Sequence, residues 1–238
     1  MALNLTVVGC GLTGSMLTDS LAAHMLSTEM WFDITLIDFD DVESRNSPGN
    51  HNVLMGLGEK KAVAMANKLT AYGLPAKAVT QRLTEKNAAV LLKNADLVIG
   101  AVDNIDARVR IWEIATGVQG IPYMDIGLHN FGFNVSWTYG GVDTMQYSPA
   151  ASIKKVQKMP DEEKLPACEL ISTRLNAAAA VECAARSAMI FSYGHDPAWI
   201  VQTLTGNKVE AKDMVGWSGV FAVSNNDFMP LYLGRGEV

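Results

Sequence analysis

The run from Asn4 to Ser15, Asn-Leu-Thr-Val-Val-Gly-Cys-Gly-Leu-Thr-Gly-Ser, constrains this chain more than any other stretch. It predicts a short buried strand, Leu5 to Val8, that leads into Gly9-x-Gly11-x-x-Gly14 and then into a helix. Gly9 permits the tight turn, Gly11 lets a phosphate approach the backbone, and Gly14 lets the helix pack closely on the strand. The free N–H groups of the helix's first turn, with its dipole, favour an anion there. A bare β–α turn without a ligand has the same pattern. A second strand, Asp33 to Ile37, weighs toward nucleotide binding. It ends in Asp38, near the spacing of about 20 residues at which an acidic side chain receives a ribose hydroxyl.

At 238 residues, of which 49% are apolar, the chain is long enough to bury a substantial core as one domain. A formal net charge of -6 argues against a nucleic-acid surface and against a polybasic membrane patch. The most apolar helical stretch, Leu175 to Phe191, is interrupted by Glu182 and Arg186, so no membrane span is expected. No signal peptide is read ahead of the first strand, and Cys10, Cys168 and Cys183 show no paired spacing. A cytoplasmic protein without disulfides is the expectation. Cys-x-x-Cys pairs are absent, and no zinc is expected.

Helical spacing of Leu17, Leu21, Ala22 and Met25 gives the first helix a core-facing stripe, with His24 read as a solvated residue. The second strand delivers Asp38-Phe-Asp40-Asp41-Val42-Glu43 at its carboxyl end, where open α/β sheets bind ligands. A loop rich in Asn, Gly, Ser and Pro follows, longer than most β–α connections. The next helix opens with Lys61, a poor place for a cation unless an anion lies nearby; a plain surface lysine is the alternative. Strands are predicted at Ala76 to Thr80, Asp96 to Val102 and Ile121 to Asp125, with a helix at Glu85 to Lys93. Asp103, at the end of an apolar strand facing the glycine loop, suits Mg²⁺ shared with substrate phosphates. Asp103 or Asn104 equally suits a helix N-cap. Strands alternating with helices imply a Rossmann-like, doubly wound, mainly parallel sheet. The second half continues it with an antiparallel strand at Asn134 to Tyr139, a polar segment from Ser148 to Pro166, and a buried helix at Arg174 to Phe191. A short helix at Trp199 to Leu204 and strands near Lys208 to Lys212 and Gly219 to Val223 complete the reading. Residues 1–127 form the nucleotide-binding half and 128–238 the remainder of a single domain.

In order along the chain stand the glycine loop, Asp38-Phe-Asp40-x-Val42-Glu43 with Asn46, Gly58-x-x-Lys61-Ala62 and Asp103-Asn104-x-x-x-Arg108. Together they resemble the ThiF/MoeB family, bacterial relatives of ubiquitin-activating enzymes, over roughly Leu5 to Trp137. The resemblance implies ATP-dependent adenylylation of the C-terminal glycine carboxylate of a ubiquitin-like or sulfur-carrier protein, in a homodimer. By position, Gly9, Gly11, Leu12 and Gly14 would cradle ATP, Asp38 would hold the ribose, and Asp40 and Asn46 would line the site. Lys61 would meet the phosphates, Asp103 would bind Mg²⁺, and Arg108 would orient Asp103 or support the adjoining loop. In some relatives a cysteine after the crossover loop forms a conjugate with the carrier, and Cys168 stands at a comparable place; an unreactive thiol beside Glu169 is the alternative.

Two departures bear on activity. The family's third loop glycine is Leu12 here, and its phosphate-contacting arginine falls on Gly49, with Arg45 nearby. A second arginine, which relatives take from an N-terminal helix of the partner subunit, has no counterpart ahead of the first strand. A catalytically degenerate scaffold that binds nucleotide or a ubiquitin-like protein therefore stands beside the enzyme reading. An NAD-dependent oxidoreductase fits the glycine loop and Asp38 as well, but lacks a recognisable acid–base set.

Overall fold

The structure, a computed structural model, describes residues 2–28, 30–44, 56–74, 76–129, 132–138, 171–192, 217–224 and 227–235. The elements in chain order are β1 (Leu3–Val8), α1 (Leu12–Thr28), β2 (Phe32–Ile37), α2 (Lys61–Ala71), β3 (Ala76–Val79), α3 (Glu85–Leu91), β4 (Leu97–Gly100) and α4 (Ile105–Trp112). A π-helical turn at Glu113–Val118 prolongs α4. It is followed by β5 (Tyr123–His129), β6 (Gly132–Thr138), α5 (Ile171–Ser192), β7 (Trp217–Ser224) and β8 (Asp227–Arg235).

One eight-stranded sheet results, in the order β3-β2-β1-β4-β5-β6-β7-β8. The first five strands in that order pair in parallel and the rest antiparallel. The fold is thus Rossmann-like, and its strand order reverses direction between β1 and β4. At such a switch point the connections leave on opposite faces and open a crevice at the strands' carboxyl ends.

Both faces of the parallel strands are covered, which explains their near-continuous apolar runs. Along β1, Leu5 and Val7 enter a core with α1, α2 and α5, while Val8 joins a second core with α3 and α4. Along β4, Leu97 and Ile99 split from Val98 in the same way, as the two-residue period of a strand requires. The stripe expected on α1 is buried in full: Leu17, Leu21, Ala22 and Met25.

Helix α5 turns Ala177, Ala180, Val181, Ala184, Ala185 and Ala188 inward and packs on α1, β5 and β6. Its small-residue face thus packs within the chain, as expected of a buried helix. His24 also differs from its reading as a solvated residue. Its Nε2 lies 3.2 Å from Glu182 on α5, whose carboxylate also accepts from Ser20 Oγ at 2.8 Å and Arg186 Nε at 2.6 Å. The pair is separated by most of the chain, so helical spacing alone carried no sign of it.

Candidate active site

The crevice between the carboxyl ends of β1 and β4 holds a cavity of about 1000 Å³. Its wall includes Gly9, Gly11, Leu12, Asp38, Asp40, Lys61, Asp103 and Arg108, so one space gathers residues scattered across a hundred positions. Asn46 and Cys168, two further candidates, lie outside the described residues, as does Gly49.

The glycines play three different parts. Gly9 has φ +99°, and a Cβ there would sit 2.7 Å from the Ala101 carbonyl oxygen. A Cβ on Gly14 would overlap the Gly9 carbonyl oxygen itself. Gly11 is different, because nothing lies within 4 Å of where its Cβ would be. A β-carbon at Gly11 would project into open space, so packing does not demand glycine there. The first turn of α1 contains no acidic residue, which leaves the positive end of its dipole available to an anion.

Asp38 is buried and braces the loop. Its Oδ2 accepts from the Cys10 N–H at 2.7 Å and its Oδ1 from the Asp40 N–H at 2.8 Å. A carboxylate has about four acceptor sites, so two remain, enough for a pair of ribose hydroxyls. Burial raises its pKa above the usual 3.8, with the two backbone hydrogen bonds and the Lys61 charge working the other way. The ionised form is the acceptor a ribose needs. Nucleotide affinity is therefore expected to be full well above that raised pKa and to fall as acid titrates Asp38. An affinity–pH profile over pH 4–7, checked by circular dichroism for folding, measures this; Asp38→Asn should flatten the profile. The Cys10 thiol is held well above its ordinary value by burial and then by Asp38, as befits a packing residue.

Lys61 is brought opposite by backbone pairing. Its N–H donates to the Asp40 carbonyl at 2.9 Å, Val42 donates to Glu59 at 2.8 Å, and Gly58 donates to Val42 at 2.8 Å. These bonds set the start of α2 against the end of β2. The Lys61 ammonium then lies 3.3 Å from Asp40 Oδ2, with its side chain 12% exposed.

Asn104 Oδ1 accepts from the Ala107 N–H at 2.9 Å and is the N-cap of α4. That resolves the alternative for Asp103, which remains exposed at the crevice wall. Among the described residues no group of three or more His, Cys, Asp and Glu stands ready for a metal ion. Asp103 is one of several carboxylates on the crevice wall, with Asp38, Asp40, Glu85 and Asp106.

Arg108, expected to orient Asp103 or to support the adjoining loop, is held by Asp125. Its Nε donates to Asp125 Oδ1 at 3.0 Å and its Nη2 to Asp125 Oδ2. Asp125 is fully buried and also accepts from the Tyr123 hydroxyl at 2.9 Å. The sequence reading missed Asp125 and Tyr123; the available signal was a charged residue inside an apolar strand. A second missed contact sets the Arg82 guanidinium 4.2 Å from the ring centroid of Phe39, both at the crevice wall.

The sequence matches the ThiF family over residues 2–211. The chain is a member of the ThiF family. ThiF-family membership supports ATP-dependent adenylation of a substrate. Among solved structures, the chain is similar to the E. coli tRNA N6-threonylcarbamoyladenosine dehydratase TcdA, with a TM-score of 0.56 and 21% identity. That match covers 81% of this chain and 88% of TcdA, which has also been solved with AMP. E. coli MccB with MccA-N7isoASN matches with a TM-score of 0.63 at 14% identity, over 99% of this chain and 65% of MccB. PaaA matches with a TM-score of 0.57 at 18% identity, over 95% of this chain and 62% of PaaA. At these identities the structures show a shared fold. No curated protein matches the sequence. Among the described residues no helix is long and apolar enough to cross a membrane.

Proposed function

We propose that this ThiF-family chain activates a carboxylate, the C-terminal glycine of a ubiquitin-like or sulfur-carrier protein, as an acyl-adenylate. The carboxylate oxygen attacks the α-phosphorus of ATP, the bond to the bridging oxygen breaks, and pyrophosphate leaves with the electron pair. A carboxylate is already a nucleophile at neutral pH, so the site's task is positioning and charge neutralisation. The observation that carries the reading is the convergence of an open Gly11 face, a buried Asp38 with spare acceptor capacity, and Lys61 in one crevice. In this reading Gly9, Gly11 and Leu12 border the phosphates while Gly14 holds the start of α1 close behind them, Asp38 takes the ribose, and Lys61 neutralises phosphate charge. Asp40 and Asn46 line the site, and Asp103 holds Mg²⁺. Complexes of TcdA with AMP and of MccB with AMPCPP and MccA support the nucleotide and a polypeptide acceptor. The name of TcdA also points to tRNA, but a net charge of -6 disfavours that acceptor here. A cytoplasmic homodimer belongs to the same proposal.

ATP–pyrophosphate exchange with carriers ending in Gly-Gly tests it. Carrier-dependent exchange is expected, reduced at least about tenfold in Asp103→Ala, since a metal clamp on transferring phosphate contributes that much or more. Gly49, where relatives carry arginine, favours a second reading: a scaffold that binds nucleotide without turnover. ATP binding with no exchange for any carrier would favour it.

A further inference from the structure

We propose that Asp125 is a positioning residue that acts through Arg108, holding the guanidinium edge-on so that its remaining N–H groups meet a nucleotide phosphate in the crevice. The inference rests on the adenylating reading, because it needs a phosphate there.

The geometry begins on β5. Tyr123 and Asp125 alternate with Met124 and Ile126, so they project to the face that carries α3 and α4. Asp125 is register partner to Gly100, the last residue of β4. Glycine is required at position 100, since a Cβ would overlap the Tyr123 hydroxyl. With that space free, the hydroxyl reaches Asp125 Oδ1 and fixes the carboxylate. Asp125 then takes Nε and Nη2 of Arg108, a two-point grip on one edge of the planar group.

A guanidinium has five N–H donors, and this grip uses two. Among the described residues none accepts the others. The Arg108 side chain is only 12% exposed, and Arg108 lines the crevice. A nearly buried cation with spare donors on the wall of the crevice is an incomplete site. The ion pair keeps the cation charged despite burial, which alone would lower its pKa; Asp125 outweighs that and raises it. An arginine gripped on one edge and open on the other recognises a tetrahedral oxyanion with directional bonds. It also answers the departure at position 49, where relatives place arginine and this chain has Gly49. Arg108 is the phosphate-binding group in this arrangement, and Asp125, which touches no ligand, aims it.

The test compares ATP with adenosine, which shares the base and ribose but lacks the phosphates, using ligand-observed NMR that reads weak binding. Arg108→Lys keeps the charge and can still pair with Asp125, but has no second edge to offer. Asp125→Asn keeps the shape and loses the grip. Both are expected to weaken ATP at least tenfold and to change adenosine affinity less than twofold. Tyr123→Phe, which keeps the ion pair and is the mildest change, is expected to weaken ATP two- to fivefold with adenosine unchanged, and serves where Asp125→Asn fails to fold. Parallel loss of ATP and adenosine would mean a merely structural pair and overturns the inference. Unchanged ATP affinity in Arg108→Lys overturns it too, leaving the adenylating reading intact. Wild-type protein that binds adenosine no more weakly than ATP overturns both.

Discussion

Arg108→Ala is expected to destabilise the fold by about 3–5 kcal/mol, the range for breaking a buried ion pair from one side. The cost lies in what remains rather than in what is lost. Asp125 has no exposure, and without Arg108 its charge would keep only the Tyr123 hydroxyl at 2.9 Å. Tyr123 cannot relieve it by giving up its proton, because burial, and then the Asp125 charge, hold that hydroxyl well above its ordinary pKa. Urea denaturation measures the effect as a lower midpoint at unchanged slope. Arg108→Met combined with Asp125→Asn removes both charges and keeps an acceptor for Tyr123, so it should recover at least half of the loss. A double variant no more stable than Arg108→Ala would mean that an unpaired Asp125 charge is not what costs the fold its stability.

Gly14→Ala is the second large effect. The added methyl would overlap the Gly9 carbonyl oxygen, which is backbone at the strand–helix junction and cannot swing aside. The junction must open, at a cost near the upper end of overpacking, about 3 kcal/mol. For a chain of this size that lowers the thermal midpoint by roughly 6–12 °C. Nucleotide affinity should fall with it, since the Gly9 turn and the start of α1 shift together. Differential scanning calorimetry reads the first effect and titration the second.

Much of this site is written in local sequence. The glycine loop, the acid ending β2 and the lysine opening α2 are readable because turn geometry, strand ends and helix dipoles act over a few residues. Asp103 and Asn104 needed the structure to divide their roles, since either side chain can cap a helix and only the Asn104–Ala107 bond decides. Long-range pairs were silent. β5 was expected to end at Asp125, because a charge reads as a strand boundary, yet it runs to His129. Arg108, seventeen positions earlier in the chain, makes the charge tolerable inside the sheet. β8 was missed because Pro230 breaks the strand pattern; the strand stands at the sheet edge, where a missing N–H is tolerated. The π-helical turn after α4 carries no proline that would mark it in the sequence. The helix read at Trp199 to Leu204 and the strand near Lys208 to Lys212 lie outside the described residues.

The central claim is that the open face of Gly11 receives the phosphates of ATP. Titration of the protein with Mg-ATP and with NAD, in wild type and Gly11→Val, addresses it directly. Mg-ATP is expected to bind more tightly than NAD by at least about tenfold. Gly11→Val is expected to bind ATP at least tenfold more weakly, and Gly11→Ala to keep a thermal midpoint close to wild type because nothing lies within 4 Å of the new Cβ. NAD bound more tightly than Mg-ATP, or Gly11→Val binding ATP as wild type does, would contradict it.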